Sequence, residues 1–285
     1  MIPFLLGLIC ILVIVYWIIN TQETFIAQSK PYIWLYWENK PNVYEPPNYI
    51  KLCHDSVKKH CRDNFNIVIL NDKSVYNYLP ELRSDIDQLL IPQKADYIRL
   101  KLLEKYGGIW LDSDIIVLKD LMPIMNKMTN KIDFVGFGCH FRNCGFTGKP
   151  KPANWVMASK PNTKFIKMCV QNCDRILDEK NKLNYFDLGR TLLWKCIKKM
   201  KMDDKKWDYY HYDSKCLERD SNFKKIRNNR LLSDEDLDQK CINDSLFIPI
   251  YNTAPGFPEW FKNLSKNEIL ERNMLISKLF RKSKT

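Results

Sequence analysis

Glycine is scarce in this chain, with nine among 285 residues, and no internal repeat or low-complexity tract stands out. The lack of repeats argues against a solenoid, and the lack of low-complexity tracts argues against a disordered scaffold. The close cysteine pairs also lack the CxxC spacing that is typical of structural zinc sites, so they do not predict a zinc centre. These pairs are Cys53/Cys61, Cys139/Cys144 and Cys169/Cys173.

Two of these pairs predict different roles. Cys169 and Cys173 stand one turn apart on an apolar helix pattern, which favours plain core residues. Cys139 and Cys144 flank a loop and are the best disulfide candidates. Of ten cysteines, Cys10 lies in an N-terminal apolar segment. The remaining odd number cannot all pair within the chain.

The net charge is +12, from 45 Lys and Arg against 33 Asp and Glu. Nucleic-acid binding is one interpretation of such a balance. However, the lysines are spread along the chain and are not gathered into a stripe among aromatic residues. We therefore expect no nucleic-acid partner, and a solvated basic surface with some attraction to anionic lipid or to a nucleotide.

The N-terminal segment Ile2–Ile19 is apolar and carries no charge. Its length just spans a bilayer, and Tyr16 and Trp17 stand where interfacial anchors would. A cleavable signal peptide is the alternative, but the stretch is long for one and no basic region precedes it. We expect a single-pass transmembrane signal anchor over residues 1–20 and a polar stem over 21–30. The rest of the chain would then be luminal or extracytoplasmic.

The rest of the chain, roughly 255 residues, is long enough for one sizeable α/β domain. We place this domain at residues 31–255, followed by a helical, basic tail at 256–285. The final residues, Ser277–Thr285, predict a frayed end or a segment on a membrane surface.

The most informative segment is Lys94–Leu118, which reads KADYIRLKLLEKYGGIWLDSDIIVL. Asp96 and Arg99 stand three residues apart, so they share one face of a helix. The glycine pair at 107 and 108 predicts the end of that helix, because a left-handed cap residue costs glycine little. The apolar run Ile109–Leu111 then predicts a strand that is buried on both faces.

A carboxylate pair follows this strand. Asp112 and Asp114 stand two apart on an extended chain, so they point the same way and can bind one hard cation through oxygen. Such a cation would neutralise a diphosphate, as an enzyme acting on nucleotide sugars requires. Three other Asp-x-Asp tripeptides do not follow an apolar strand: Asp85–Asp87, Asp234–Asp236 and Asp236–Asp238.

Strand patterns alternate with helix patterns along the chain. The predicted strands are 31–37, 66–70, 109–111, 133–138, 154–158 and 247–251, with 115–118 also extended. The predicted helices are the one from Pro47 to Cys61, then 72–79, 85–90, 94–106, 162–178 and 187–200. Such alternation predicts parallel βαβ units, with helices on both faces of the sheet. Ligands bind such sheets beyond the carboxyl ends of the strands, where Asp112 and Asp114 lie.

Four segments carry a resemblance: YIWLYWEN at Tyr32–Asn39, the run Ala95–Leu121, NWVMAS at Asn154–Ser159 and YFDLG at Tyr185–Gly189. With these segments the chain resembles capsular-polysaccharide-synthesis-type glycosyltransferases. That Asp-x-Asp family is related to initiating mannosyltransferases and clostridial glucosylating toxins. The resemblance implies a single GT-A domain, which is a Rossmann-like α/β fold that binds nucleotide sugars. It also implies a UDP- or GDP-sugar donor, Mn²⁺ or Mg²⁺, a glycan or glycoprotein acceptor and retention of anomeric configuration.

The resemblance assigns the catalytic residues Asp96, Arg99 and Asp112. Asp112 would meet the donor sugar or ribose and bind the metal indirectly, whereas Asp114 would be the direct metal ligand. Asp96 would hold sugar hydroxyls. Arg99 would reach the diphosphate or a sugar oxygen, because its planar fork can engage two oxygens at once.

The same resemblance gives further binding residues. Trp34 and Tyr36, with Trp37 as an alternative, would stack on the base of the donor, although a buried aromatic is an equally good interpretation of each. Asn154 would face the donor sugar or the acceptor, and Asp187 would face the acceptor. A capping or structural role is the alternative for both.

The third metal ligand is expected from the C-terminal part of the chain. Relatives supply a histidine-containing segment with a Ser-Trp pair, which this sequence lacks. Asn252 is the best substitute, with His211 and Asp213 behind it.

Two other classes of protein fit parts of the pattern. Haloacid-dehalogenase-like phosphatases also carry Asp-x-Asp after a strand, but that motif usually opens the domain and continues with Thr or Val, where this chain has Ile116. A catalytically inactive, membrane-tethered glycan-binding protein is the second alternative. The intact carboxylate pair and helix pair argue against it.

Overall fold

The computed structural model describes residues 30–128, 132–139, 151–179, 182–200, 228–250, 252 and 257–285. The stretch Pro31–Thr285 forms one compact unit. Among the described residues, no helix is both long and apolar enough to cross a bilayer. The predicted anchor at 1–20, nearly all of the predicted stem and Cys144 lie outside the described residues, so the anchor, the stem and the Cys139–Cys144 disulfide stay predictions.

The described part of the chain contains strands and helices in alternation. The strands are β1 (Tyr32–Tyr36), β2 (Asn66–Leu70), β3 (Gly108–Leu111), β4 (Ile115–Val117), β5 (Phe134–Cys139), β6 (Lys151–Ser159) and β7 (Phe247–Pro249). The longer α-helices are α1 (Asn48–Cys61), α2 (Ile91–Tyr106), α4 (Lys164–Asp178), α5 (Arg190–Lys199) and α10 (Leu275–Lys284). The shorter ones are α3 (Met122–Met125), α6 (Asn228–Leu231), α7 (Gln239–Asp244), α8 (Glu259–Lys262) and α9 (Lys266–Glu271). The short helices predicted at 72–79 and 85–90 are single 3-10 turns, at Ser74–Asn77 and Ile86–Gln88.

Five strands form one mixed sheet in the order β2-β1-β3-β6-β5, and β4 pairs with β7 separately. Strand β1 is parallel to both β2 and β3. Strand β6 is antiparallel to β3 and to β5. The predicted α/β class is confirmed, but the expectation of parallel pairing is wrong for β5 and β6. No helix was predicted between those two strands, and strands without a crossover helix pair antiparallel.

The strand order reverses at β1. From β1 the chain passes through α1 to β2 on one side, and then through α2 to β3 on the other side. Open α/β sheets bind ligands at such a switch point, beyond the carboxyl ends of the strands. The ends of β1 and β3, at Tyr36 and Leu111, therefore mark where a ligand is expected.

Alternate residues of the central strands face opposite sides of the sheet. Ile33 and Ile109 belong to the cluster that contains the C-terminal half of the buried face of α1, whereas Trp34 and Trp110 belong to the cluster with α2 and α4. All four side chains are at most 1% exposed. Burying a large apolar side chain stabilises a fold by roughly 1.5–3 kcal/mol, so both faces hold the sheet in place.

Two glycines join α2 to β3. Gly107 has a φ of 66° and donates its N–H to Leu103 O at 3.0 Å, which closes the helix. Gly108 has a φ of 92°, and a Cβ there would lie 2.4 Å from the carbonyl oxygen of Tyr32. The predicted glycine stop is confirmed. Gly108 also lets β3 approach β1 closely.

The C-terminal helices are part of the domain. Phe261 and Phe280 are at most 1% exposed and belong to one apolar cluster with Ile50 and Cys53 of α1. The basic residues Arg281 and Lys282 lie on the exposed side of α10. The prediction of a frayed tail is therefore wrong, because the segment alternates apolar and basic residues at helical spacing and buries its apolar side.

The packing of α1 buries an ionisable group. His54 is 6% exposed, and its Nε2 has no hydrogen-bond partner. Burial lowers the pKa of His54 from 6.5 to about 4, and the nearby charge of Lys58 acts in the same direction. The folded protein therefore keeps this imidazole neutral at a pH where the unfolded chain is already protonated.

Acid should loosen this domain partly through His54. Because its folded-state pKa is depressed, the stability it supports is present above pH 6.5 and is lost as the pH falls towards 4. Between pH 7.5 and 5 the expected loss in free energy of unfolding is about 2 kcal/mol. Urea unfolding of the wild type and of His54→Leu, both in EDTA, measures it. The carboxylates that also titrate are present in both proteins. An equal loss in free energy of unfolding in the two would therefore contradict the assignment to His54.

Candidate active site

The predicted carboxylate pair lies at the switch point of the sheet. Asp112 follows β3 directly, and its N–H bonds to Trp155 O of β6 at 2.9 Å. Asp114 lies in the turn between β3 and β4, and its carbonyl accepts from Ile250 N at 2.9 Å. Both carboxylates are half-buried. Strand pairing on both sides thus fixes the backbone that carries the pair.

Helix α2 brings Asp96 and Arg99 to the same place. They are 6% and 4% exposed. One terminal nitrogen of Arg99, Nη2, lies 3.2 Å from Asp96 Oδ1 and 3.2 Å from Asp112 Oδ1. The other, Nη1, donates to the backbone oxygen of Asn154. The guanidinium therefore ties α2 to the end of β3 and to β6.

Asn154 completes the buried network from β6. Its Nδ2 donates to Asp96 Oδ1 at 2.6 Å. The prediction that Asp96, Arg99, Asp112 and Asn154 lie together is thus met by the geometry. All four are held mainly by one another, which fixes their positions before any ligand arrives.

Two residues that were not predicted also belong to this site. Trp110 Nε1 donates to Asp112 Oδ1 at 2.7 Å, and its ring lies 4.9 Å from Arg99 Cζ. Gly189, just before α5, approaches so closely that a Cβ there would lie 2.4 Å from Asn154 Nδ2. A signal for Trp110 was present, because residues two apart on a strand face the same side. Nothing local marked Gly189, since its close approach depends on how α5 packs.

Among the residues that the structure describes, the site holds more negative than positive charge, because Asp96, Asp112 and Asp114 face one guanidinium, that of Arg99. Burial, with repulsion from Asp112, raises the pKa of Asp114 to about 6. Burial raises the pKa of Asp96 to about 7 despite the opposing charge of Arg99. Burial also raises the pKa of Asp112, although Arg99 and Trp110 oppose it.

This imbalance fits a divalent cation, which prefers carboxylate oxygens and would offset the excess charge. Within the described ranges, no group of three or more His, Cys, Asp and Glu side chains could hold a metal ion. From the described residues, a cation at Asp112 and Asp114 would have only amide, water or substrate oxygens as further ligands. Oxygen-rich, partly hydrated coordination of this kind is typical of Mg²⁺ sites that bind phosphates.

The predicted third ligand, Asn252, does contact the pair. Its backbone N–H donates to Asp114 Oδ2 at 3.1 Å, and its Nδ2 lies 3.1 Å from Tyr49 Oη. The side-chain oxygen is the atom that could bind a cation, so this role stays a prediction. His211 and Asp213 lie outside the described residues.

The predicted base-stacking aromatics do not all reach the site. Trp34 is fully buried, its Nε1 donates to Gly107 O at 2.8 Å, and its ring stacks on Tyr32. Its assignment to the donor is wrong, because β1 is a central strand and Trp34 faces the packed helix α2. Tyr36, at the carboxyl end of β1, is 5% exposed and donates to Glu38 Oε2 at 2.6 Å.

The YFDLG segment lies beside the network, but Asp187 points its carboxylate to its own turn. Its Oδ2 accepts from the backbone N–H of Asn184 at 2.8 Å and from the Asn184 side chain at 3.1 Å. This contact corresponds to the structural alternative for Asp187. The contact between the segment and the site is made by Gly189.

The chain matches the family model described as "Capsular polysaccharide synthesis protein" over residues 16–231. The chain belongs to this family. The match confirms the predicted family and the enzyme class that goes with it, glycosyltransferase. No curated protein sequence matches the chain.

Three solved structures are similar to this member of the capsular polysaccharide synthesis family. "PaToxG Glycosyltransferase" shares 17% identity, covers 90% of this chain and 86% of its own, and gives a TM-score of 0.42. A glycosyltransferase "involved in the glycosylation of the major capsid of PBCV-1" shares 14% identity, covers 78% of this chain and 94% of its own, and gives a TM-score of 0.43. Apo GlyE of Streptococcus pneumoniae TIGR4 shares 14% identity, covers 90% of this chain and 64% of its own, and gives a TM-score of 0.45.

Replacing Gly189 by alanine should disturb the network. The added Cβ would lie 2.4 Å from Asn154 Nδ2 and 2.7 Å from Asp96 Oδ2, so these groups must move. Overpacking of this kind costs about 1–3 kcal/mol of stability. Urea unfolding of Gly189→Ala, Asn154→Ala and the double variant measures the coupling. We expect the double variant to lose less free energy of unfolding than the two single variants lose together. Losses that add strictly would contradict the contact.

Proposed function

We propose that this family member is a metal-dependent GT-A glycosyltransferase, which moves a sugar from a UDP- or GDP-sugar to a glycan or glycoprotein acceptor. The observation that supports it most is the half-buried pair Asp112 and Asp114 at the switch point, with excess negative charge. A diphosphate cannot approach such a pair without a cation between them, and a nucleotide-sugar enzyme needs that arrangement.

The proposed cation is Mn²⁺ or Mg²⁺, held by Asp114 directly and by Asp112 directly or through water. Asn252 is the proposed further ligand. Once bound, the ion would act as a Lewis acid that neutralises charge on the leaving diphosphate. The hydrogen bonds of Asp112 to Trp110 and Arg99 keep its Oδ1 in place, so binding costs little reorganisation.

Arg99 acts in this proposal mainly by positioning other groups. Both of its terminal nitrogens are already engaged, one by the carboxylates of Asp96 and Asp112 and one by Asn154 O. Its Nε is buried without a partner. Without a movement of the side chain, Arg99 therefore holds the carboxylates rather than reaching a diphosphate.

Asp96 is the proposed contact to the donor sugar. Its Oδ1 is occupied by Arg99 and Asn154, whereas its Oδ2, which faces the Cα of Gly189, accepts no hydrogen bond from the described residues. We propose that a sugar hydroxyl donates to Asp96 on that side. We also propose retention by front-face attack of the acceptor hydroxyl, since no carboxylate among the described residues stands out as a nucleophile.

The two alternatives fit less well. In a phosphatase of the dehalogenase type the first aspartate attacks, yet Asp112 Oδ1 is held by Trp110 and Arg99. An inactive glycan-binding protein would not need a buried, like-charged pair that costs stability. The single-pass membrane anchor and the luminal or extracytoplasmic location stay part of the proposal, with no nucleic acid as partner.

Loss of the metal carboxylate should abolish donor turnover. Hydrolysis of a panel of UDP- and GDP-sugars with Mn²⁺ should fall at least about 100-fold in Asp114→Asn, and equally in EDTA, because charge stabilisation of the leaving group is lost. Asp236→Asn is the matched control, since Asp236 belongs to another Asp-x-Asp and pairs with Lys278 at 2.8 Å. Turnover of aryl phosphates but not of sugar nucleotides would contradict the proposal.

Removing Arg99 should cost stability as well as turnover. Arg99→Ala leaves buried carboxylates without their partner, which typically costs about 3–5 kcal/mol. Arg99→Lys keeps the charge without the fork, so its loss should be smaller. Urea unfolding and donor hydrolysis on the same samples test both effects. If Arg99→Ala unfolds like the wild type while turnover is lost, Arg99 contacts the donor rather than positioning the carboxylates.

A further inference from the structure

An exposed aromatic pair stands next to the candidate active site. Tyr185 and Phe186 are 49% and 44% exposed. Their rings meet edge to face, with centroids 4.9 Å apart. Aromatic side chains of this size are normally buried, so two adjacent exposed rings in a fixed arrangement are available to pack against a ligand.

The turn that carries these rings is fixed by its own hydrogen bonds. Asp187 Oδ2 accepts from Asn184 N at 2.8 Å, and Asp187 N donates to Asn184 O at 3.2 Å. Thr191 N donates to Phe186 O at 3.2 Å, which joins the turn to α5. Because the backbone is already ordered, binding of a ligand to the rings would cost the protein little conformational entropy.

A positive charge lies on the same surface. Arg190 Cζ is 3.8 Å from the ring centroid of Phe186, and the side chain is exposed. Among the described residues, no carboxylate lies within ion-pair distance of Arg190. Its outer N–H groups are therefore open to an anionic oxygen, for which a guanidinium is well suited.

The aromatic pair is continuous with the site. Gly189 lies against Asp96 and Asn154, within 2.4–2.7 Å of an added Cβ. Gly189 is three positions after Phe186, so at most about 10 Å of chain separates the ring-bearing turn from the buried network. That distance is comparable to one or two sugar rings. A sugar on the pair would place a neighbouring hydroxyl near the donor.

We propose that Tyr185, Phe186 and Arg190 form the acceptor subsite and that it binds a sugar residue bearing a carboxylate. The ring carbons of the sugar pack on the aromatic pair, and the carboxylate pairs with Arg190. This proposal rests on the glycosyltransferase function above. It transfers the acceptor role from Asp187, which fixes the turn, to the residues on either side of it.

Binding without a donor tests the subsite separately from catalysis. Saturation-transfer NMR on the full chain, with methyl glucuronide and methyl glucoside as probes, should show ring-proton signals that are stronger for the glucuronide. Phe186→Ala should weaken glucuronide binding about fivefold, the effect of losing roughly 1 kcal/mol of stacking. Tyr76→Ala, an exposed aromatic on another segment, is the control for the ring.

Arg190→Gln should remove the preference for glucuronide over glucoside. Lys195→Gln is the matched control, because it deletes one exposed positive charge from the same helix. Equal effects of the two variants would overturn the assignment of Arg190, and glucuronide binding that is as tight in Phe186→Ala as in the wild type would overturn the subsite. So would an absence of saturation transfer to both probes. Urea midpoints near the wild type show that the variants are folded.

Donor hydrolysis by water, measured on the wild type, separates the two proposals. If the wild type hydrolyses no sugar nucleotide, the proposed function fails while the NMR result still decides the sugar subsite. If hydrolysis proceeds and glucuronide does not bind, only the subsite fails.

Discussion

The buried guanidinium of Arg99 is the interaction on which the site depends. It links helix α2 to the end of β3 and to β6 through Asp96, Asp112 and Asn154. Burying charges costs free energy, and one arginine offsets that cost only when its hydrogen bonds are well placed. The planar guanidinium meets this need, since its two terminal nitrogens bond to different partners. The arrangement leaves Asp114 as the carboxylate least compensated by protein.

Close backbone approach is the second requirement, and scarce glycines supply it. Gly108 brings β3 against Tyr32 of β1, which sets the carboxyl ends of the two strands side by side. Gly189 brings the start of α5 against Asp96 and Asn154. A side chain at either position would push apart the elements that carry the site. Two of the nine glycines thus occupy close contacts around the site.

Much of the fold could be predicted because its signals are local. The helix that ends at Gly107, the buried strand after it and the short strand at 115–117 follow from periodicity and from the glycine stop. The pairing of β6 and the fate of Trp34 could not be predicted in this way. Trp34 is aromatic whether it stacks on a nucleotide or packs in the core, and only its place on a central strand decides between these roles. Asp187 shows the same ambiguity, since an aspartate that fixes a turn and one that binds a ligand look alike in a sequence.

By itself the sequence determined the order of the elements and the family. It also determined four site residues, because spacing along one helix and one strand sets which way their side chains point. These residues are Asp96, Arg99, Asp112 and Asp114. Tertiary structure decided which groups compensate one another: that Arg99 is occupied by carboxylates, that Gly189 closes the network, and that Tyr185 and Phe186 stay exposed beside it. These facts depend on contacts between residues far apart in the chain. Such contacts follow from packing and burial, which no local spacing encodes.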